Sequence, residues 1–135
     1  MIAPDTSILI AYLAPWHEAH DRARVALAGD ERALIAHVAL EAVASLSTMP
    51  QGYRVAPEAV LDAVRADYPE PWLALPVERH GDSLHTAVAC GLRGGALYDA
   101  LIAATAAHHG ATLVSADVRA RASYEAMGAR VSFVS

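Results

Sequence analysis

The sequence predicts a parallel α/β fold, a three-layer α/β/α sandwich around a short-stranded central sheet. Three observations predict it. Short apolar runs alternate with longer stretches of helical periodicity, as in successive βαβ units. Acidic residues stand where those runs hand over to helices: Asp5 closes Met1 to Pro4, and Asp117 follows Ala111 to Val114. The chain has 135 residues and is 55% hydrophobic, the size and composition of a single domain, residues 1–135, with a substantial core.

Met1 to Pro4 is a short buried strand, with Pro4 tolerable near its end. Thr6 to Ala14 is a short helix closed by Pro15. His17 to Ala28 is a second helix, ended by Gly29. Ala33 to Ala36 is a strand. Val38 to Thr48 is a helix stopped by Pro50, and Gln51-Gly52-Tyr53 is a loop. Pro57 opens a helix running to Asp67, proline suiting the first helical position. Trp72 to Leu75 is a weak strand. Asp82 to Cys90 is a helix capped by Asp82 or Gly81. Gly94-Gly95 turns into the helix Leu97 to His108, which Gly110 ends. The strand Ala111 to Val114, the helix Val118 to Met127 and the strand Val131 to Val134 complete the chain. No linker, repeat or low-complexity segment interrupts it.

No stretch approaches the roughly 18 uncharged apolar residues of a membrane span. No basic segment precedes an apolar core at the N-terminus, so no signal peptide is expected. A lone cysteine, Cys90, forms no disulfide within the chain and suits a reducing cytoplasm. Its neighbours Ala87-Val88-Ala89 and Gly91-Leu92 predict a small core residue near a helix end. The net charge is −5, whereas nucleic-acid binders usually carry a basic surface. Acids clustered around a cation, however, have their charge offset. All ten basic residues are arginine. Arginine forks phosphate, and the lack of lysine removes any mechanism needing a Schiff-base or phosphate-binding lysine.

The chemistry is sought in four acids. Asp5 follows a strand within the first five residues; it also suits an N-cap, and the two roles are compatible. Glu41 sits among Ala39, Leu40, Ala42, Val43 and Ala44, where a charge needs a partner or a solvated opening. Asp99 stands in the first turn of an apolar helix, where the dipole favours an acid, yet Ala-Leu-Ile-Ala-Ala follows it. Asp117 leaves a strand and also suits a cap. In open α/β sheets ligands bind at the carboxyl ends of the strands. Carboxylates gathered there repel one another unless a cation is present, so a hard-metal site is inferred. His17 and His20 lie three apart but lack the companion motif of a zinc site.

Met1-Ile2-Ala3-Pro4-Asp5-Thr6-Ser7, Glu41 in Leu40-Glu41-Ala42-Val43-Ala44, Tyr98-Asp99-Ala100-Leu101-Ile102-Ala103-Ala104 and Thr112-Leu113-Val114-Ser115-Ala116-Asp117 together resemble the motifs of PIN-domain ribonucleases. More narrowly they resemble the VapC-type toxins of type II toxin–antitoxin systems, as does Tyr124-Glu125-Ala126-Met127-Gly128. The resemblance spans the chain and is faint from about Gln51 to Arg79. It implies a PIN-like fold and a Mg²⁺- or Mn²⁺-dependent endoribonuclease. Asp5, Glu41, Asp99 and Asp117 map to the catalytic quartet, with Asp5, Asp99 and Asp117 holding metal. Ser7, and more loosely Ser115, map to supporting hydroxyls. Arg93, Arg119 and Arg121 flank the acids and are candidates for holding RNA. The resemblance also implies a cognate antitoxin, with the first-half helices as its groove, and a homodimer. The alternative is a PIN-fold protein-binding module with little nuclease activity. A phosphoacceptor receiver and a haloacid-dehalogenase-type phosphatase both require the missing lysine, and a dinucleotide-binding domain lacks its glycine-rich turn.

Overall fold

The computed structural model describes residues 1–29 and 31–134. Its central sheet comprises β1 (Ile2–Pro4), β2 (Thr112–Ser115) and β3 (Arg130–Phe133), in the order β1-β2-β3 and parallel throughout. Seven helices are found among the described residues: α1 (Thr6–Leu13), α2 (His20–Ala26), α3 (Ala36–Ser47), α4 (Pro57–Asp67), α5 (His80–Ala89), α6 (Ala96–His109) and α7 (Arg121–Ala126). Successive strand residues point to opposite faces, and Leu113 and Val114 are both buried. Both faces of β2 are therefore covered. α1 and α6 each pack against β2, which gives the expected α/β/α layering.

The segments predicted as strands at Ala33 to Ala36 and Trp72 to Leu75 are reduced to single bridges, Ile2 with Arg32 and Ile35 with Leu73. They still extend the sheet's hydrogen bonding: Ala33 N–H donates to Ile2 O at 2.8 Å, and Ala36 N–H donates to Leu73 O at 2.8 Å. Helix α3 starts at Ala36, two residues before the predicted Val38, and takes up backbone the strand would have used. The second helix begins at His20 rather than His17, because His17 accepts the Ala19 amide through Nδ1 at 3.0 Å in a turn. The segment after Asp117 divides into a 3₁₀ turn, Val118–Ala120, and α7.

Two local expectations fail around α5. A 3₁₀ turn, Val77–Arg79, leads directly into His80, so neither Gly81 nor Asp82 caps the helix. Cys90 is exposed rather than in the core. α5 lies at the periphery and buries only Ala87, so its C-terminal end never reaches the interior.

The core runs through Ile8, Leu9, Val38, Ala42, Leu46, Ile102, Ala103 and Leu113, at most 2% exposed, which lock α1, α3, α6 and β2 together. Gly110 ends α6 in the left-handed conformation at φ 69°, its amide closing the last turn. That geometry favours glycine and turns the chain straight into β2.

Candidate active site at the carboxyl ends of β1 and β2

The pairing of β1 with β2 fixes the first acid. Ala3 lies beside Leu113 and Pro4 beside Val114, and the Asp5 amide extends the ladder by donating to Val114 O at 2.9 Å. Asp5 is the N-cap of α1 and is 1% exposed. Its Oδ1 accepts the Ser7 hydroxyl at 2.6 Å and the Ile8 amide at 3.1 Å. Its Oδ2 accepts the Tyr124 hydroxyl at 2.7 Å. One carboxylate thus caps α1 and also ties α7 to the end of β1.

Ser7 also accepts the Ala116 amide at 3.0 Å, so one hydroxyl ties the end of β1 to the end of β2. Ser115, fully buried, accepts the Asp117 amide at 3.0 Å. Asp117 itself caps the 3₁₀ turn through the Arg119 amide at 3.1 Å, and its Oδ1 lies 3.4 Å from Arg119 Nε.

Glu41 projects from α3, which packs on both α1 and α6. Its Oε1 accepts the Thr6 hydroxyl at 2.8 Å and stands 3.6 Å from His37 Nε2, one turn back on the same helix. The His37 ring stacks on Tyr98 at 5.7 Å between centroids. Asp99 is half-buried in the first turn of α6. Burial first, then the charges of Glu41, Asp117 and Asp5, push its carboxyl up to about 6. The four acids, drawn from both halves of the chain, therefore share one electrostatic neighbourhood. Among the described residues neither Asp5 nor Asp99 forms a salt bridge. Burial and the Asp5 carboxylate beside it push the Tyr124 phenol well above its ordinary value, so it remains a donor.

The donor set is carboxylate oxygen, which matches a hard divalent cation. Among the described residues no three His, Cys, Asp or Glu side chains form a ready-made cage. That is compatible with Mg²⁺, which keeps several waters and binds through one or two carboxylates plus substrate phosphate. Burial first, and then the neighbouring acids, disfavour a charge on Asp99, a penalty that a cation bound there would offset.

The three arginines differ in setting. Arg93 and Arg119 are exposed. Arg121 lies over the Phe133 ring, 4.3 Å from its centroid, with Nη1 3.8 Å from Glu125. A groove of about 560 Å³ opens beside Ser7 and Asp117, and Arg119, Arg22 and His17 line it. Sequence reasoning did not single out Arg22, Thr6, His37 or Tyr124 as site residues. His37 carried a signal in its i, i+4 spacing from Glu41, and Thr6 in its place beside Asp5. Tyr124 lies in a segment that resembles the family, but nothing local indicates its partner, 119 residues away.

A model described as the PIN domain matches residues 2–125. The chain is 41% identical to Ribonuclease VapC40 of Mycobacterium tuberculosis, with 99% of each chain covered. It is 34% identical to Ribonuclease VapC27 of the same organism, over 96% of this chain and 94% of that one. Its fold is similar to the crystal structure of FitAcB from Neisseria gonorrhoeae, with a TM-score of 0.67 over 97% of this chain and 96% of that one, at 21% identity.

Proposed function

Because the chain belongs to the PIN-domain family and its relatives are VapC ribonucleases, we propose that it is a metal-dependent endoribonuclease, the toxin of a toxin–antitoxin pair. The observation that supports this reading is geometric: Asp5 and Asp117 follow the paired strands β1 and β2, and Thr6, beside Asp5, holds Glu41 of α3 by a 2.8 Å hydrogen bond. A module that only binds proteins has no need of mutually repelling acids, two of them without a salt bridge among the described residues.

Within this reading Asp5, Asp99 and Asp117 hold Mg²⁺ or Mn²⁺, and Glu41 orients or deprotonates the attacking water. A bound cation supplies Lewis-acid stabilisation of the phosphate and lowers the pKa of that water. Ser7 holds Asp5 in place, Ser115 holds the Asp117 backbone, and Thr6 holds Glu41. Arg93 and Arg119 hold RNA phosphates. Arg121, packed on Phe133, serves the fold more than the substrate.

The partners follow from the family reading. An antitoxin covers α1 and α2 near the acids, where exposed Trp16 packs on Tyr53 at 5.8 Å. A second copy covers the apolar face around Leu40, Leu84, Val88 and Tyr98, all exposed. A cytoplasmic site of action suits an RNA substrate, and no helix of the described residues is long and apolar enough to cross a membrane.

The test is cleavage of total cellular RNA by the purified, antitoxin-free protein with Mg²⁺, with Mn²⁺ and with EDTA, beside Asp99→Ala. Discrete metal-dependent products that vanish in the variant are expected. A folded, metal-bound protein that leaves all RNA intact returns the site to a binding role.

A further inference from the structure

We infer that Tyr124 is a positioning residue for the acidic site: its hydroxyl fixes the Asp5 carboxylate so that a single acceptor position, on Oδ2, is left for a cation. The inference rests on the metal reading above and deepens it.

The argument is a count of lone pairs. An ionised carboxylate offers about four acceptor positions. The Ser7 hydroxyl and the Ile8 amide occupy both on Oδ1. The Tyr124 hydroxyl occupies one of the two on Oδ2. No other donor to Asp5 is found among the described residues. One position on Oδ2 is therefore left open to a cation, and the carboxylate's orientation is set in advance from two sides.

The choice of side chain points the same way. Tyr124 is 2% exposed and its ring belongs to the core. Phenylalanine would fill that space equally well, whereas a buried phenol requires a partner. The hydroxyl earns no packing that phenylalanine lacks; what it adds is the bond to Asp5. Outer-shell partners of this kind typically change metal affinity about 10–100-fold when removed. Without the phenol, Asp5 is held by one oxygen and is free to swing Oδ2, so ordering it falls to the arriving cation.

The experiment is calorimetric titration of Mn²⁺ into the full-length, antitoxin-free wild type and Tyr124→Phe, with thermal melts of both metal-free proteins. The expected result is Mn²⁺ binding at least about 10-fold weaker in the variant, with both proteins folded. Binding within twofold of wild type, whatever the melting temperature, overturns the inference and leaves the metal reading standing. A wild type that binds no Mn²⁺ overturns the metal reading itself. If Tyr124→Phe does not fold, the wild type labelled with 3-fluorotyrosine answers instead. A solvent-shielded fluorine resonance shifts on adding Mg²⁺ if Tyr124 senses the site; shielded resonances that all stay in place overturn the inference.

Discussion

The Thr6 hydroxyl donates to Glu41 Oε1 at 2.8 Å, bridging the first residue of α1 to the middle of α3. His37 Nε2 stands 3.6 Å from the same oxygen. Thr6→Val keeps the shape and removes the donor. We expect about a tenfold loss in kcat from a misoriented Glu41, with the melting temperature changed by only a few degrees, measured on one RNA substrate beside the wild type.

Asp99 sets a pH dependence. Its folded carboxyl titrates near 6, raised from 3.8, so the folded state binds a proton more readily than the unfolded state between those values. Stability of the metal-free protein therefore falls as pH rises from about 4 to 6 and stays lowered above that. Asp99→Asn removes the penalty. At pH 7.5 the metal-free variant is expected to be more stable by on the order of 1 kcal/mol, after discounting for solvent screening, and the gap closes below pH 4. Denaturant titrations at pH 4, 6 and 7.5 check this. A gap that widens on acidification contradicts the sign.

Cation binding must show the reciprocal behaviour, since a proton on Asp99 competes with metal. Divalent-metal affinity is expected to drop as pH falls through about 6. Isothermal titration at pH 5.5 and 7.5 measures it directly. Equal affinity at the two values removes Asp99 from the ligand set.

Asp117 has two duties, and two substitutions separate them. Asp117→Ala removes the cap on the Val118–Ala120 turn and is expected to cost about 1 kcal/mol as well as activity. Asp117→Asn retains an acceptor for the Arg119 amide. It is expected to keep nearly wild-type stability while RNA cleavage collapses.

The arginines divide in the same manner. Arg119→Ala or Arg93→Ala should weaken RNA binding and lower the salt slope by about 0.7 for each lost phosphate contact on a single strand. Arg121→Ala loses its packing on Phe133 and should show in the melting temperature instead. Fluorescence anisotropy across a salt series distinguishes them.

The legible and illegible parts of this molecule differ in range. Asp5, Asp117 and the glycine that ends α6 announce themselves locally, because a strand-to-helix junction and a left-handed turn each demand particular residues within a few positions. Glu41 was legible as a charge out of place in an apolar helix. The bridges at Ile35 and Leu73 were over-read as strands, since an apolar run does not reveal how much of it a neighbouring helix will claim. Cys90 was misplaced because its small apolar neighbours look the same on a peripheral helix as in a core. Tyr124 owes its role to a contact across the fold, 119 residues away, and neither its spacing nor its neighbours indicate that partner.

The bond from Tyr124 to Asp5 also bears on the timing of synthesis. Chains emerge N-terminus first, at about 5–20 residues per second. When α6 has been made, Asp5, Glu41 and Asp99 already exist, but β2 has yet to pair with β1 and no phenol holds Asp5. Asp117 is missing as well. On the proposed site, a growing chain therefore lacks both Asp117 and the bond that orders Asp5, and the acids are assembled only once the segment through residue 124 has folded back onto its beginning.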